Sequence, residues 1–229
     1  MTMDPLEFFG AQSGGRSAED RQSRLARAKG HSPFTDDFLA FGYDFFDNPS
    51  LELGYGGYRY DGRYASAAAK MCSHYGLRPG DCVLDVGCAK GFLLREFQRL
   101  GLQVLGVDVS EYAVRSAHPD VADQICIGDI CRLPLPGDWA DLVVAKAVLP
   151  YVSPDSVDQA LAECARVCRG NAFFLVHSGQ NADELESLGE WDANHRAMKT
   201  PEWWRKKIRA MGCPSDVVFN FLFRSDVEI

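Results

Sequence analysis

Asp85-Val-Gly87-Cys-Ala89-Lys-Gly91 sets an acid two residues ahead of a glycine bend, between an apolar run and an amphipathic one. Gly87 and Gly91 permit a sharp turn, and the bend leaves main-chain N–H groups open to a ligand where the next helix starts. A dinucleotide loop would read G-x-G-x-x-G, and this one does not. Asp85 would repel a pyrophosphate, whereas it can pair with an ammonium group. Two further acids recur at matching places. Asp108 ends the second apolar run, where a carboxylate can accept from both ribose hydroxyls. Asp129 follows the third run and can accept from an adenine amino group, with Val109 and Ile130 flanking the purine. The backbone of Gly87, Cys88, Ala89 and Gly91 completes the cradle.

Amino-acid tail, ribose and adenine together describe S-adenosyl-L-methionine, whose product after methyl transfer is S-adenosyl-L-homocysteine. Such a donor is already activated, so a protein must mainly align the acceptor and exclude water. An alcohol or ammonium acceptor also needs a base, for which histidine is suited near neutral pH. His195 lies in a long polar connection with Asp192 three residues earlier, placed to fix its tautomer. His177 ends the fifth apolar run and is the other candidate. His31, His74 and His118 read as structural. Lys146 and Tyr151 stand near the rim and, with Tyr60 and Arg196, are candidate acceptor contacts; buried neighbours would lower the Lys146 pKa. An ordinary polar loop is the other reading of Asp192 and Arg196.

The elements that must hold these groups are legible as alternating strands and helices. DCVLDVG, QVLGVDV, DQICIGDI, DLVVAKAVL, NAFFLVHS and DVVFNFLF read as buried strands. KGFLLREFQRLG, SEYAVRSAH, SPDSVDQALAECARVCRG (stopped at Gly170) and TPEWWRKKIRAMG read as helices between them. The pattern predicts an α/β, Rossmann-like, doubly wound and mostly parallel sheet, with helices on both faces and an N-terminal helical and loop cap. Residues 1–30 are expected to be a mobile tail with a short exposed helix from Ser17, residues 31–65 a cap or lid, and residues 66–229 the ligand-binding domain. FTDDFLAFGYDFF, residues 34–46, sets its aromatics on roughly one helical face. The ribbon GYGGYRYDGRY, residues 54–64, can then fold over the pocket. In that position Tyr58 can stack on the ligand and Arg59 or Arg63 can bind a methionine carboxylate bidentately.

VLDVGCAKGF, LGVDVSEYAV, IGDICRLPL and DLVVAKAVLPYV, in this order and spacing, resemble the successive motifs of class I S-adenosylmethionine-dependent methyltransferases. The resemblance runs from about residue 79 to 223. The ribbon and the segment WDANHRAMKTPEWW also resemble pieces of small-molecule methyltransferases from glycan and natural-product gene clusters. It implies methyl transfer to oxygen or nitrogen of a small polar metabolite such as a sugar, a nucleotide-sugar or a natural-product intermediate. Ala89 departs from a position that is often glycine in this family. Only six residues follow DVVFNFLF, which leaves the family's final antiparallel strand in question.

Composition narrows the alternatives. The chain has 229 residues, 46% of them apolar, and a net charge of −8, which suits one domain with a small-molecule substrate and disfavours a nucleic acid. No secretory or membrane segment is expected, and eight cysteines without a CxxC pair suggest reduced thiols in a cytoplasmic protein. A non-catalytic partner that only binds S-adenosylmethionine is the main rival. A base methyltransferase is disfavoured because AKAVLPYV stands where an Asn- or Asp-Pro-Pro-aromatic run belongs. No metal is expected, because Lys146 occupies the place where metal-dependent O-methyltransferases carry an acid.

Overall fold

A computed structural model describes residues 8–9, 17–28, 34–51 and 53–223; His31 and most of the expected tail lie outside them. The described residues of the N-terminal part include α1 (Ala18–Ala28), α2 (Asp36–Leu39) and α3 (Tyr43–Phe46). Ser17 Oγ accepts from the Asp20 N–H at the start of α1, and Arg21 Nη1 donates to the Leu222 carbonyl at 3.1 Å. Residues 34–46 are therefore two short helices rather than the single aromatic face read from the sequence. The break falls at Phe41, with φ of 54°, and Gly42, where a Cβ would collide with the Asp37 carboxylate.

The apolar runs form β1 (Cys82–Val86), β2 (Gln103–Asp108), β3 (Ile125–Ile127), β4 (Ala140–Lys146), β5 (Cys168–His177) and β6 (Ser215–Asn220). Every pairing in the sheet is parallel, in the order β3-β2-β1-β4-β5-β6. The order reverses between β1 and β4, so the loops after these strands diverge and leave a crevice at the carboxyl edge. β6 lies directly beside β5, and the described residues contain no antiparallel strand between them.

Neighbouring strand residues point to opposite faces, and each face carries its own core. Val83, Leu142 and Phe173 pack under α4 (Ala65–Tyr75) and α5 (Phe92–Arg99) with Met71 and Phe97. Leu84, Val143 and Phe174 pack on the other side against α7 (Val157–Val167) and α9 (Pro201–Ala210) with Leu161 and Trp204. α6 (Glu111–Arg115) follows β2 and is capped by Ser110, whose Oγ accepts from Ala113 N–H.

Two boundaries differ from the sequence reading. α7 ends at Val167 and runs straight into β5, so Gly170 lies within a strand instead of stopping a helix. There a Cβ would sit 2.2 Å from the Asp141 carbonyl oxygen, so the glycine serves close strand contact. The connection after β5 holds an unforeseen helix, α8 (Ala182–Trp191), capped by Asn181, which accepts from Glu184 N–H. Among the described residues no helix is long and apolar enough to cross a membrane.

Candidate functional site

The bend after β1 hooks onto the end of β2. Gly87 N–H and Cys88 N–H donate to the Val107 carbonyl, and Ala89 N–H donates to Asp108 Oδ2 at 2.7 Å. Three left-handed residues make the turn: Gly87 with φ of 69°, Ala89 with 50° and Gly91 with 74°. At Gly87 a Cβ would lie 2.1 Å from Val148 Cγ2, and at Gly91 one would lie 2.5 Å from Ile125 Cδ1. Both glycines are thus demanded by backbone conformation and by close neighbours.

A cavity of about 390 Å³ opens where the strand order reverses. Gly87, Ala89, Asp108, Val109, Asp129 and Ile130 line it, together with Lys146, Tyr151 and Arg196. Nine of the sequence-designated positions therefore converge on one space. Asp108 is almost buried, with Ser110 N–H on Oδ1 at 2.8 Å in addition to Ala89. Burial pushes its carboxyl pKa up, against the hydrogen bonds from Ser110, Ala89 and Val109. Asp129 accepts from Cys131 N–H through Oδ1 at 2.8 Å.

Asp85 lies behind the bend, 3% exposed, and does not line the cavity. Burial raises its pKa to about 7; Lys146 opposes the shift and Asp108 adds to it. Two buried acids whose ionised forms are disfavoured make this wall receptive to a cation. Cys88 is buried against the sheet, and neither it nor Gly91 reaches the cavity.

A second, smaller cavity of about 110 Å³ adjoins the first and shares Phe45, Tyr55, Lys146, Ala147 and Tyr151 with it. His177, Asp192 and His195 line only this one. His177 Nδ1 lies 3.4 Å from His195 Nε2, and His195 Nδ1 lies 3.1 Å from the Leu188 carbonyl oxygen. A carbonyl only accepts, so His195 carries its proton on Nδ1 and offers the Nε2 lone pair. His177 then donates from Nδ1, which leaves its own Nε2 as the free acceptor of the pair. The tautomer is set by Leu188, not by Asp192 as the sequence suggested. Asp192 instead accepts from the Tyr151 hydroxyl at 2.9 Å, and Tyr151 stacks on His195 with ring centres 4.8 Å apart. Burial holds the His177 pKa well below its ordinary value, helped by His195, Lys146 and Arg21.

Lys146 Nζ stands over the Tyr64 ring at 5.4 Å and the Phe9 ring at 5.6 Å. Burial disfavours its charge, yet Tyr64, Tyr55 and Asp85 outweigh burial and raise its pKa, the reverse of the expected direction.

The ribbon residues are distributed differently from the sequence reading. Arg63 forms a pair with Asp61, Nη2 to Oδ2 at 2.5 Å, and lines neither cavity. Tyr58 stacks on Phe92 at 4.7 Å, and the Tyr60 hydroxyl donates to Glu96 Oε1 on α5. Tyr55, not singled out from the sequence, is the ribbon residue that lines both cavities. Nothing in the alternation of tyrosine and glycine distinguished it. Within the bend, the buried ammonium of Lys90 reaches Asp47 and the Tyr58 carbonyl, and Asp47 also accepts from the Tyr112 hydroxyl at 2.6 Å. This cluster ties the N-terminal segment to the bend.

Residues 84–176 match the family described as a methyltransferase domain. The match takes in the bend, all three aspartates and β5 as far as Val176. A malonyl-[acyl-carrier protein] O-methyltransferase of Serratia marcescens is 31% identical over 113 residues, 49% of this chain and 43% of that protein. A ubiquinone biosynthesis O-methyltransferase of Rhodopseudomonas palustris is 32% identical over 99 residues, 41% of this chain and 38% of that protein. The chain thus spans less than half the length of these two relatives. A SAM-dependent methyltransferase from Archaeoglobus fulgidus shares the fold, with a TM-score of 0.54 and 17% identity over 65% of this chain and 66% of that one.

Proposed function

We propose that this chain is an S-adenosylmethionine-dependent methyltransferase that acts on oxygen or nitrogen of a small polar metabolite. The observation that carries this reading is the pair of adjoining cavities: one walled by the aspartates and the glycine bend, the other by a histidine pair. The larger volume falls within the range of about 300–1,000 Å³ usual for small-molecule sites. Asp108 and Asp129 would hold the ribose and adenine, Val109 and Ile130 the purine faces, and the backbone of Gly87 and Ala89 the amino-acid end. When bound, the cofactor supplies an activated methyl group on a sulfonium.

The chain's own residues then have three tasks. The bend and its acids orient the donor, with the buried Asp85 and Asp108 favouring its positive charge. Phe41, Phe45, Phe46 and Tyr55 cover the cavity and exclude water. His177 accepts the acceptor's proton at Nε2, and His195 acts as a positioning residue by fixing that tautomer through Leu188. The acceptor's sugar, nucleotide-sugar or natural-product class stays within this proposal, as do cytoplasmic residence and action without nucleic acid.

Calorimetry with S-adenosyl-L-homocysteine tests the cradle, with tight binding expected in wild type and at least tenfold weaker binding in Asp108→Ala. Formation of S-adenosyl-L-homocysteine from S-adenosyl-L-methionine across a panel of hydroxy and amino metabolites tests turnover. Absence of binding to folded protein overturns the reading. Binding without turnover on any acceptor would assign the chain to the non-catalytic class.

A further inference from the structure

β4, β5 and β6 each end on a polar residue, Lys146, His177 and Asn220, and all three line the smaller cavity. Strand register explains the convergence. Asn220 is the direct partner of His177, and Lys146 is the partner of Leu175, two residues before His177. Partners in register and residues two apart share a face, so the three side chains leave the sheet on the same side.

Most polar groups of this cavity are already engaged. His195 meets Leu188 and His177, Asp192 accepts from Tyr151 and from Asn194 N–H, and Arg21 donates to the Leu222 carbonyl. Lys146 lies over the Tyr64 and Phe9 rings, and the charge of Asp85 acts on it. Asn220 differs. Its backbone carbonyl accepts from Ser178 N–H, while among the described residues no hydrogen bond reaches its side-chain amide. That amide and the free Nε2 of His177 are neighbouring polar groups on one cavity wall.

We propose that Asn220 determines specificity by recognising a second hydroxyl beside the one deprotonated by His177, so that the acceptor carries a vicinal diol; this rests on the methyltransferase reading above. Neighbouring strands lie about 4.7–4.9 Å apart. Side chains of register partners converging from that spacing meet oxygens on adjacent carbons, whereas an oxygen across a ring falls outside their joint reach. A hydroxyl both donates and accepts, which matches an amide with one carbonyl oxygen and one NH2. Phe45, Tyr55, Trp191 and Leu222 supply apolar walls for the C–H faces of such a fragment. An acceptor without the second hydroxyl would cover the amide and leave it unpaired, and so bind more weakly.

The test is a ¹H–¹⁵N NMR titration of wild-type protein, with and without S-adenosyl-L-homocysteine. cis-1,2-Cyclohexanediol, 1,4-cyclohexanediol and cyclohexanol serve as probes, and the Asn220 side-chain NH2 signal is assigned by its loss in Asn220→Leu. The 1,2-diol is expected to bind saturably, to shift that signal, and to bind at least tenfold tighter than either other probe. In Asn220→Leu its advantage over cyclohexanol should vanish. Equal binding of the three probes to wild type, no binding of the 1,2-diol, or an Asn220 signal that stays in place at saturation overturns the assignment whatever the variant's folding. The methyltransferase reading fails separately: it is lost when S-adenosyl-L-homocysteine does not bind, an outcome read by calorimetry on the same sample.

Discussion

Ala89 and Gly87 both hold left-handed backbone, with φ of 50° and 69°. An L-residue there costs roughly 1–2 kcal/mol that glycine does not incur. We predict that Ala89→Gly raises thermal stability by up to about 1 kcal/mol while leaving S-adenosyl-L-homocysteine affinity within a few-fold; a lower melting temperature would refute the strain. Gly87→Ala should act in the other direction, because its Cβ would press on Val148, itself a cavity residue. Affinity should fall at least tenfold by calorimetry. Asp85 makes a different prediction. Its folded pKa, about 7, lies above the unfolded value near 3.8. Its contribution is therefore most favourable below about pH 3.8 and is lost as pH rises through 7. Asp85→Asn should stabilise the ligand-free protein at pH 8, by on the order of 2 kcal/mol, and weaken cofactor binding. A melting temperature that drops at pH 8 would refute this assignment.

The N-terminal segment is joined to the glycine bend through Asp47, which receives Lys90, Tyr112 and the Tyr58 N–H. Removing one partner of a buried ion pair leaves the other charge uncompensated, at a cost of about 3–5 kcal/mol. We expect Asp47→Asn to speed amide hydrogen exchange across residues 36–64 far more than across β1, β4 and β5; uniform change, or none, would remove the latch. The sequence disclosed the frame of this arrangement better than its joints. Strand runs such as DLVVAKAVL are buried on both faces and announce themselves by unbroken hydrophobicity. The aspartates and glycines of the loop were readable because backbone turning and ligand charge each demand a narrow choice of residue. The Lys90–Asp47 contact joins residues 43 apart, and no local pattern encodes such a pairing. α8 carried a readable start, Asn181 with Glu184 three residues on, but its apolar positions are too sparse to stand out from a loop. Which tyrosine of the ribbon faces the cavities depends on how Gly54, Gly56 and Gly57 turn the chain, all at positive φ.

At the scale of the whole chain, β6 lies parallel to β5 at one edge of the sheet, and among the described residues no antiparallel strand joins that edge. The larger cavity lies where the strand order reverses, remote from that edge, which is why its residues could be read without knowing how the sheet finishes. Ligand that binds only the folded chain adds about 2.7 kcal/mol at a hundredfold excess over Kd. For a chain of this size, each kcal/mol moves the midpoint by roughly 2–4 °C. S-Adenosyl-L-homocysteine at that excess should therefore raise Tm by roughly 5–10 °C in a thermal scan, and no shift would mean no cradle.

Phe45 and Tyr55 belong to the ceiling of both chambers. On the function proposed above, two guests would share one roof, and whatever lifted the Phe45 and Tyr55 rings would open the donor and acceptor sides together.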